Sequence, residues 1–395
     1  MTRARMAPEG SVAPEGSAGR KPSVLFAVHS THLGGGEILA YQAARWLSRS
    51  GHRLTILAPE GPLHGLFADT GQVVAPTPML PTWGATAARW ATDTLRTVRD
   101  VPRLRRVIRD TGIEVVLTNT STTLAPVIAA RLEHVPAVVH VREWPTSRLA
   151  TPLVRLHARL ATTVVVIAEP LLATAARGGG RARLVHIHDG IQPGRFSVRP
   201  PRVPGGRLRL AVVGGFDRRK GQDIAIRALA RLRDAGINAE LDLVGRQGRS
   251  DYMEELGQLI EGLDLRDRVH NLGERRDVPM LMHEWDALLA PSRGEWTPLA
   301  IMEAMAVGLP VVAASVGAVS DLLDQGTCGR LIRPDDVEGL ADAIMGVIAE
   351  SGTPEAAARA AAARGRVLER YDLEPSLARL GAELARVAPG ARAGG

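Results

Sequence analysis

The sequence predicts an α/β protein of two doubly wound domains, and three observations carry that prediction. The apolar run Ser23–Ser30 leads through Gly34, Gly35 and Gly36 into an amphipathic stretch with Leu39, Ala43 and Leu47 on one face, and a second apolar run follows at 51–57. Strand, glycine loop, helix and strand in that order open a parallel sheet. The same order starts afresh at Leu208–Val213, with the loop Gly214–Gly221 and a helix from Gln222. Between the two lies Arg199–Gly206, rich in proline and glycine, which reads as a linker. A chain of 395 residues is long enough for two separate cores.

Taken in order, residues 1–22 repeat Ala-Pro-Glu-Gly-Ser and carry almost no bulky apolar side chains, so they are expected to be a disordered tail. Residues 23–198 form the first Rossmann-like domain, 199–206 the linker, 207–370 the second domain, 371–387 a terminal amphipathic helix, and 388–395 a disordered tail. Arginines at 89, 96, 99, 103 and 106 fall on one helical stripe, which Pro102 is expected to kink or divide, with Leu95, Val98 and Leu104 packing beneath. Glu114–Thr122 and Ala137–Trp144 read as strands ending in polar loops, the place where open α/β sheets hold ligands. Thr163–Ala168 and Leu184–Ile191 are further strands of this half. His186 and His188 are two apart on the last, with no third ligand nearby, and read as structural. In the second half, strands are expected at 238–245, 268–275, 287–290 and 310–314.

Composition narrows the function. The single cysteine, Cys328, excludes an internal disulfide and suits a cytoplasmic protein. No run approaches the roughly 18 apolar residues that span a bilayer, and Met1–Arg5 lacks the apolar segment of a signal peptide, so export is not expected. The net charge of +7 is uneven: 24 Lys and Arg against 13 Asp and Glu up to residue 200, and a surplus of acids after it. Aromatics make up 3% of residues, too few for the stacking platforms of a single-strand binder, and no zinc-finger or RNA-recognition motif is present. Nucleic acid is therefore not an expected partner. Arginine-rich, lysine-poor usage suggests a high-GC bacterial source.

The chemistry concentrates in Pro291–Gly308. An apolar strand, 287–290, meets Pro291, Gly294 and Pro298, and a helix follows, with Thr297 expected as its cap and Pro298 at its first position. The amides of Leu299 and Ala300 are then unpaired at the positive end of the helix dipole, an anion site. Glu303 is the only ionisable group between Thr297 and Pro310, flanked by Ile301, Met302, Ala304 and Met305. A carboxylate among such neighbours needs a partner. A ligand ribose fits its offset from the helix start, while Glu295 lies in the loop before the helix.

Glu295 and Glu303, with seven residues between them and the second opening the run Glu-Ala-Met-Ala-Val-Gly-Leu-Pro-Val-Val, resemble the signature of the retaining glycosyltransferases of family 4. The resemblance covers about 23–387 and implies the GT-B fold, two Rossmann-like domains facing a cleft, with a nucleotide-sugar donor on the second and a hydroxyl acceptor mostly on the first. It implies that Glu303 binds ribose hydroxyls. Glu295, with the amides around Trp296, Thr297, Pro298 and Leu299, would position the donor sugar. Gly35 and Gly36 would lie against the donor or acceptor, and Lys220 would hold the diphosphate. Leu272 and Gly273 would offer backbone groups to the base, with Arg275 beside them.

Several positions depart from the family pattern. Gly215 stands where a second diphosphate-binding arginine is expected, so Arg218 or Arg219 would have to supply that charge. Arg142 falls on the place of a histidine near the transferred sugar. It could hold an acceptor or phosphate anion, but it stays charged and cannot act as a base, which leaves His140 or Glu143 as candidates to replace that histidine. Asp189 replaces an asparagine and Ala168 a serine. No Asp-x-Asp occurs, so no metal is expected, and no other cofactor. Basic helices of similar enzymes bring some to anionic membranes, so the Arg89–Arg109 region is a candidate for peripheral contact at the inner membrane face. The alternatives on the same plan are a nucleotide-sugar epimerase, a glycan phosphorylase and a non-catalytic sugar-nucleotide binder.

Overall fold

A computed structural model describes residues 20–32, 34–80, 86–142, 150–200, 205–295 and 298–389. Two compact units divide the chain: one comprises residues up to Asp189 and those from Glu374 on, the other Gly190–Leu373.

In the first unit the elements are β1 (Ser23–Ala27), α1 (Gly35–Arg49), β2 (Arg53–Leu57), α2 (His64–Ala68), β3 (Gln72–Val74), α3 (Ala87–Asp110), β4 (Val115–Thr118), α4 (Ala125–Leu132), β5 (Ala137–Val141), α5 (Ala150–Leu160), β6 (Thr163–Val166), α6 (Glu169–Ala176) and β7 (Arg183–His186). The strands pair in parallel in the order β3-β2-β1-β4-β5-β6-β7. Strands β1, β4, β5 and β6 are buried at every residue, because helices cover both faces of a parallel sheet.

Helix α3 is not divided at Pro102. The helix runs unbroken through the proline. The carbonyl that loses its partner to the ring is that of Val98, an exposed residue. Leu104 is buried as expected, but Leu95 and Val98 are 50% and 57% exposed, and the packing is shared with Thr97, Val101 and Ile108. Nor is the arginine stripe bare. Within it Arg89 and Arg96 pair with Asp93 and Arg103 with Asp100, while beside it Arg105 and Arg109 pair with Glu133.

The second unit holds β8 (Leu208–Val213), α7 (Gln222–Asp234), β9 (Ala239–Val244), α8 (Ser250–Gly262), β10 (Val269–Gly273), α9 (Val278–Leu281), β11 (Ala287–Ala290), α10 (Leu299–Val307), β12 (Val311–Ala314), α11 (Val319–Leu322), β13 (Arg330–Ile332), α12 (Val337–Glu350) and α13 (Pro354–Arg370). Its sheet is also parallel, ordered β10-β9-β8-β11-β12-β13. Residues 190–199 belong here: Ile191 bridges to Asp372, Phe196 joins the apolar cluster around Trp285, and Arg199 donates to the carbonyls of Val307 and Trp285. The last helix, α14 (Leu373–Val387), lies with the first unit. There Trp46 donates to Glu374, Arg183 to Glu383, and Arg386 to Thr163.

In each sheet the winding reverses at one place, between β1 and β4 and between β8 and β11. The carboxyl ends of strands at such a reversal leave a crevice for ligands. The loops after β8 and β11 are the ones that carry Lys220 and Glu295.

Candidate active site

After β8 the chain turns at Gly214 and passes through a short 3₁₀ turn, Arg218–Lys220, which Asp217 caps by accepting from the amide of Arg219. Gly221 follows with φ +70°, and a Cβ there would stand 2.2 Å from the carbonyl oxygen of Pro291. Only glycine lets the start of α7 press against the loop leaving β11. Lys220 thereby reaches that loop, and its Nζ donates to Oε2 of Glu295 at 2.7 Å.

Glu295 is 6% exposed. It also accepts from Oγ of Ser292 at 3.1 Å, and the Arg219 guanidinium stands 3.9 Å away while donating to the carbonyl of Gly294. Its backbone is held as well. Gly317, at φ +55°, packs so closely that a Cβ would lie 1.8 Å from the Glu295 carbonyl oxygen.

Helix α10 begins one residue later than expected. Pro298 is the cap (φ −80°, ψ 68°) and Leu299 the first helical residue; Trp296 and Thr297 lie outside the described residues. The first bonds of the helix run from the amides of Ile301 and Met302 to the carbonyl of Pro298. The amides of Leu299 and Ala300 thus stand ahead of the ladder, at the positive end of the dipole. Lys220, Ser292, Glu295, Leu299 and Ala300 line one cavity of about 30 Å³, which has room for roughly one water. A cation, a carboxylate, a hydroxyl and the first turn of α10 line it.

Glu303 is half-buried between buried neighbours and, among the described residues, makes no side-chain hydrogen bond or ion pair. Burial pushes its pKa up to about 7, against the opposing charge of Arg195. The two glutamates therefore differ: one is neutralised by a lysine, and the other waits for a partner.

Other expected site residues are placed differently. The Arg218 side chain is engaged by Glu255 and lies over the Tyr252 ring, 5.0 Å from its centroid, so Arg219 is the arginine beside Glu295. Gly215 leaves open space, with only the Arg246 carbonyl oxygen within 4 Å of a Cβ built there. At the end of β10, the Gly273 amide donates to the Asn271 side chain and its carbonyl accepts from Gly245, so its backbone is engaged within the protein. Leu272 sits at the irregularity in the β10–β9 register. Arg275 is exposed and paired with Asp277.

In the first unit, the Arg142 guanidinium is engaged within the protein. Its side chain is 8% exposed, forms an ion pair with Asp189 at 3.1 Å, and donates to the carbonyl of Gly36. The two departures noted separately in the sequence, arginine for histidine and aspartate for asparagine, are partners. His140 is buried, and burial together with Arg142 holds its pKa well below the ordinary value. A neutral imidazole so enclosed is not presented to a ligand. Gly35 starts α1, and a side chain on Gly36 would meet nothing within 4 Å. Glu143 lies outside the described residues.

Sequence reasoning missed Ser292, Gly317, Asp223 and Arg293. Arg293 sits two residues from Glu295, where its charge alone was the available signal. Among the described residues no group of three or more His, Cys, Asp or Glu is placed to hold a metal ion, and no helix is long and apolar enough to cross a membrane.

Two family models match the chain: Glycosyltransferase Family 4 over residues 33–195 and Glycosyl transferases group 1 over 207–350. Similar curated proteins include a glycogen synthase of Mycobacterium tuberculosis, 32% identical over 197 residues (49% of this chain, 46% of that one). Another is a phosphatidyl-myo-inositol mannosyltransferase of Mycobacterium leprae, 29% identical over 192 residues (48% and 50%). The chain spans about half the length of these curated relatives. Among solved structures, Anabaena HepE in complex with UDP and glucose superposes with a TM-score of 0.74 at 24% identity, covering 92% of this chain and 99% of that one. Sucrose-phosphate synthase from Thermosynechococcus elongatus gives 0.76 at 20% identity, covering 93% and 99%. These likenesses show the fold, GT-B.

Proposed function

The chain belongs to the glycosyltransferases of group 1, family 4, and on that premise we propose that it moves a sugar from a nucleotide-sugar donor to a hydroxyl acceptor, with retention and without a metal. The observation that carries the reading is the convergence of Lys220, Glu295 and the first turn of α10 on one cavity. A donor diphosphate brings the negative charge that Lys220 and the amides of Leu299 and Ala300 are arranged to meet. As Lys220 turns to the phosphate, Glu295 is released to accept hydrogen bonds from hydroxyls of the donor sugar. Glu303, unpaired in the protein, accepts from the ribose.

The step breaks the bond between the anomeric carbon and the phosphate oxygen and forms one from that carbon to the acceptor oxygen on the same face. The acceptor proton passes to the leaving phosphate oxygen. Lys220 and the helix-start amides stabilise the charge that grows there.

The test is a panel of nucleotide sugars assayed for slow hydrolysis, which needs no acceptor, followed by transfer assays with the active donor. Hydrolysis lost in Lys220→Ala and Glu295→Gln supports the reading; a wild-type protein that binds no nucleotide sugar refutes it. One observation favours a second reading, a non-catalytic sugar-nucleotide binder. Position 215 leaves empty the space where a second cation is expected, and binding without hydrolysis or transfer would select this reading.

We also place the protein at the cytoplasmic membrane face, on the strength of Leu95 and Val98 exposed on α3 among arginines. Co-sedimentation with anionic vesicles and not with zwitterionic ones tests this; equal behaviour with both refutes it.

A further inference from the structure

The loops that bear Lys220 and Glu295 leave neighbouring strands, and one side chain ties them together. The Arg293 amide donates to the carbonyl of Arg219 at 2.7 Å, and its Nη1 donates to the carbonyl of Arg218 at 2.6 Å. Nη1 and Nη2 both reach the Asp223 carboxylate, at 2.9 and 2.8 Å, and Nε donates to Asp335 at 2.6 Å. In return Arg219 donates to the carbonyl of Gly294. Asp223 lies in the first turn of α7, two residues after Gly221, and accepts a further bond from the Tyr252 hydroxyl.

We propose that Arg293 and Asp223 are positioning residues, a brace that fixes the loop bearing Lys220 against the loop bearing Glu295, so that the ammonium reaches the donor diphosphate by a turn of its side chain alone. This rests on the glycosyltransferase reading above and adds the residues that hold its site in register.

The chemistry of the pair supports the role. A guanidinium fork engages a carboxylate through two parallel bonds and sets orientation as well as distance, which a lysine cannot do. Burial works against the charge on Asp223, but the hydrogen bonds and charge of Arg293 outweigh it and hold its pKa below the ordinary range. Arg293 is a third exposed, and it grips the turn at two successive carbonyls, those of Arg218 and Arg219, just before the lysine. The two loops are thus joined on both sides of Lys220: by Arg293 before it, and after it by the close approach of Gly221 to Pro291.

The test is a double-mutant cycle read by calorimetry with UDP, GDP and ADP as probes. In the wild-type background Lys220→Ala should weaken the best-bound nucleotide by on the order of tenfold, the scale of one charge-assisted hydrogen bond. In an Arg293→Gln or Asp223→Asn background the same change should cost less than about threefold, because the ammonium is no longer held in place. Arg293→Lys should behave like Arg293→Gln, since it keeps the charge and loses the fork. Circular dichroism and melting temperature establish that each variant is folded.

An equal Lys220→Ala penalty in all backgrounds overturns the brace while leaving the functional reading intact, and so does full rescue by Arg293→Lys. A wild-type protein that binds none of the three nucleotides overturns the functional reading and the brace with it.

Discussion

Replacing Glu303 by glutamine should make the protein more stable above neutral pH while weakening nucleotide binding. Burial raises this carboxyl from an ordinary 4.5 to about 7. The folded protein therefore holds the proton more tightly than the unfolded chain does. Below about 4.5 both states are protonated and no cost arises; between 4.5 and 7 stability falls as pH rises; above 7 the whole cost is present. At roughly 1.4 kcal/mol per pKa unit, that gap sets a ceiling of about 3 kcal/mol, and partial exposure of the side chain brings the expected effect to about 1–3 kcal/mol. Glutamine keeps the shape and never ionises. Urea unfolding at pH 5, 6, 7 and 8 measures the difference: the variant's gain should be near zero at pH 5 and greatest at pH 8. Ligand hydroxyls donate to the charged form, so nucleotide affinity of the wild type should rise with pH to about 7 and level off. In Glu303→Gln the affinity should be lower and that slope absent. Equal midpoints at pH 8, or a binding curve with the same pH slope in both proteins, would refute the placement of Glu303 as a buried acid that awaits a ribose.

Removing Asp189 leaves the buried Arg142 charge unanswered, so Asp189→Asn should cost about 3–5 kcal/mol. Arg142→His together with Asp189→Asn should cost less than Asp189→Asn alone, and thermal unfolding of the single and double variants decides it. Gly215→Arg enters open space and should strengthen nucleoside diphosphate binding several-fold; calorimetry showing no gain would mean that the new cation does not reach the diphosphate. His157 is buried against the carbonyl of Ser121 with its pKa lowered to about 4. Its contribution is present above about 6.5 and is lost as pH falls toward 4, by up to about 3 kcal/mol. His157→Gln should therefore flatten acid unfolding in that window, which a denaturation series from pH 7 to 4 measures.

Much of the fold was legible in the chain. The strands and helices around the site appear where periodicity placed them, because the face a residue presents follows from neighbours a few positions away. The Lys220-Gly221 loop and the strand before Glu295 were visible for the same reason. At Pro102 the chain was not divided, and the exposure of Val98, whose carbonyl loses its partner there, is not a local property. The start of α10 slipped by one residue because φ and ψ at Pro298 answer to the loop before it.

The sequence by itself determined the order of the elements, the two windings and the glycine that the junction at 221 requires, all of which rest on local backbone sterics and apolar spacing. Tertiary structure alone decided which charges meet. Lys220 and Glu295 are 75 residues apart, Arg142 and Asp189 come from the ends of different strands, and Arg219 was chosen over Arg218 by the direction of one turn. A charge settles according to the burial and the counter-charges around it, and distant segments create those only when the sheets have formed.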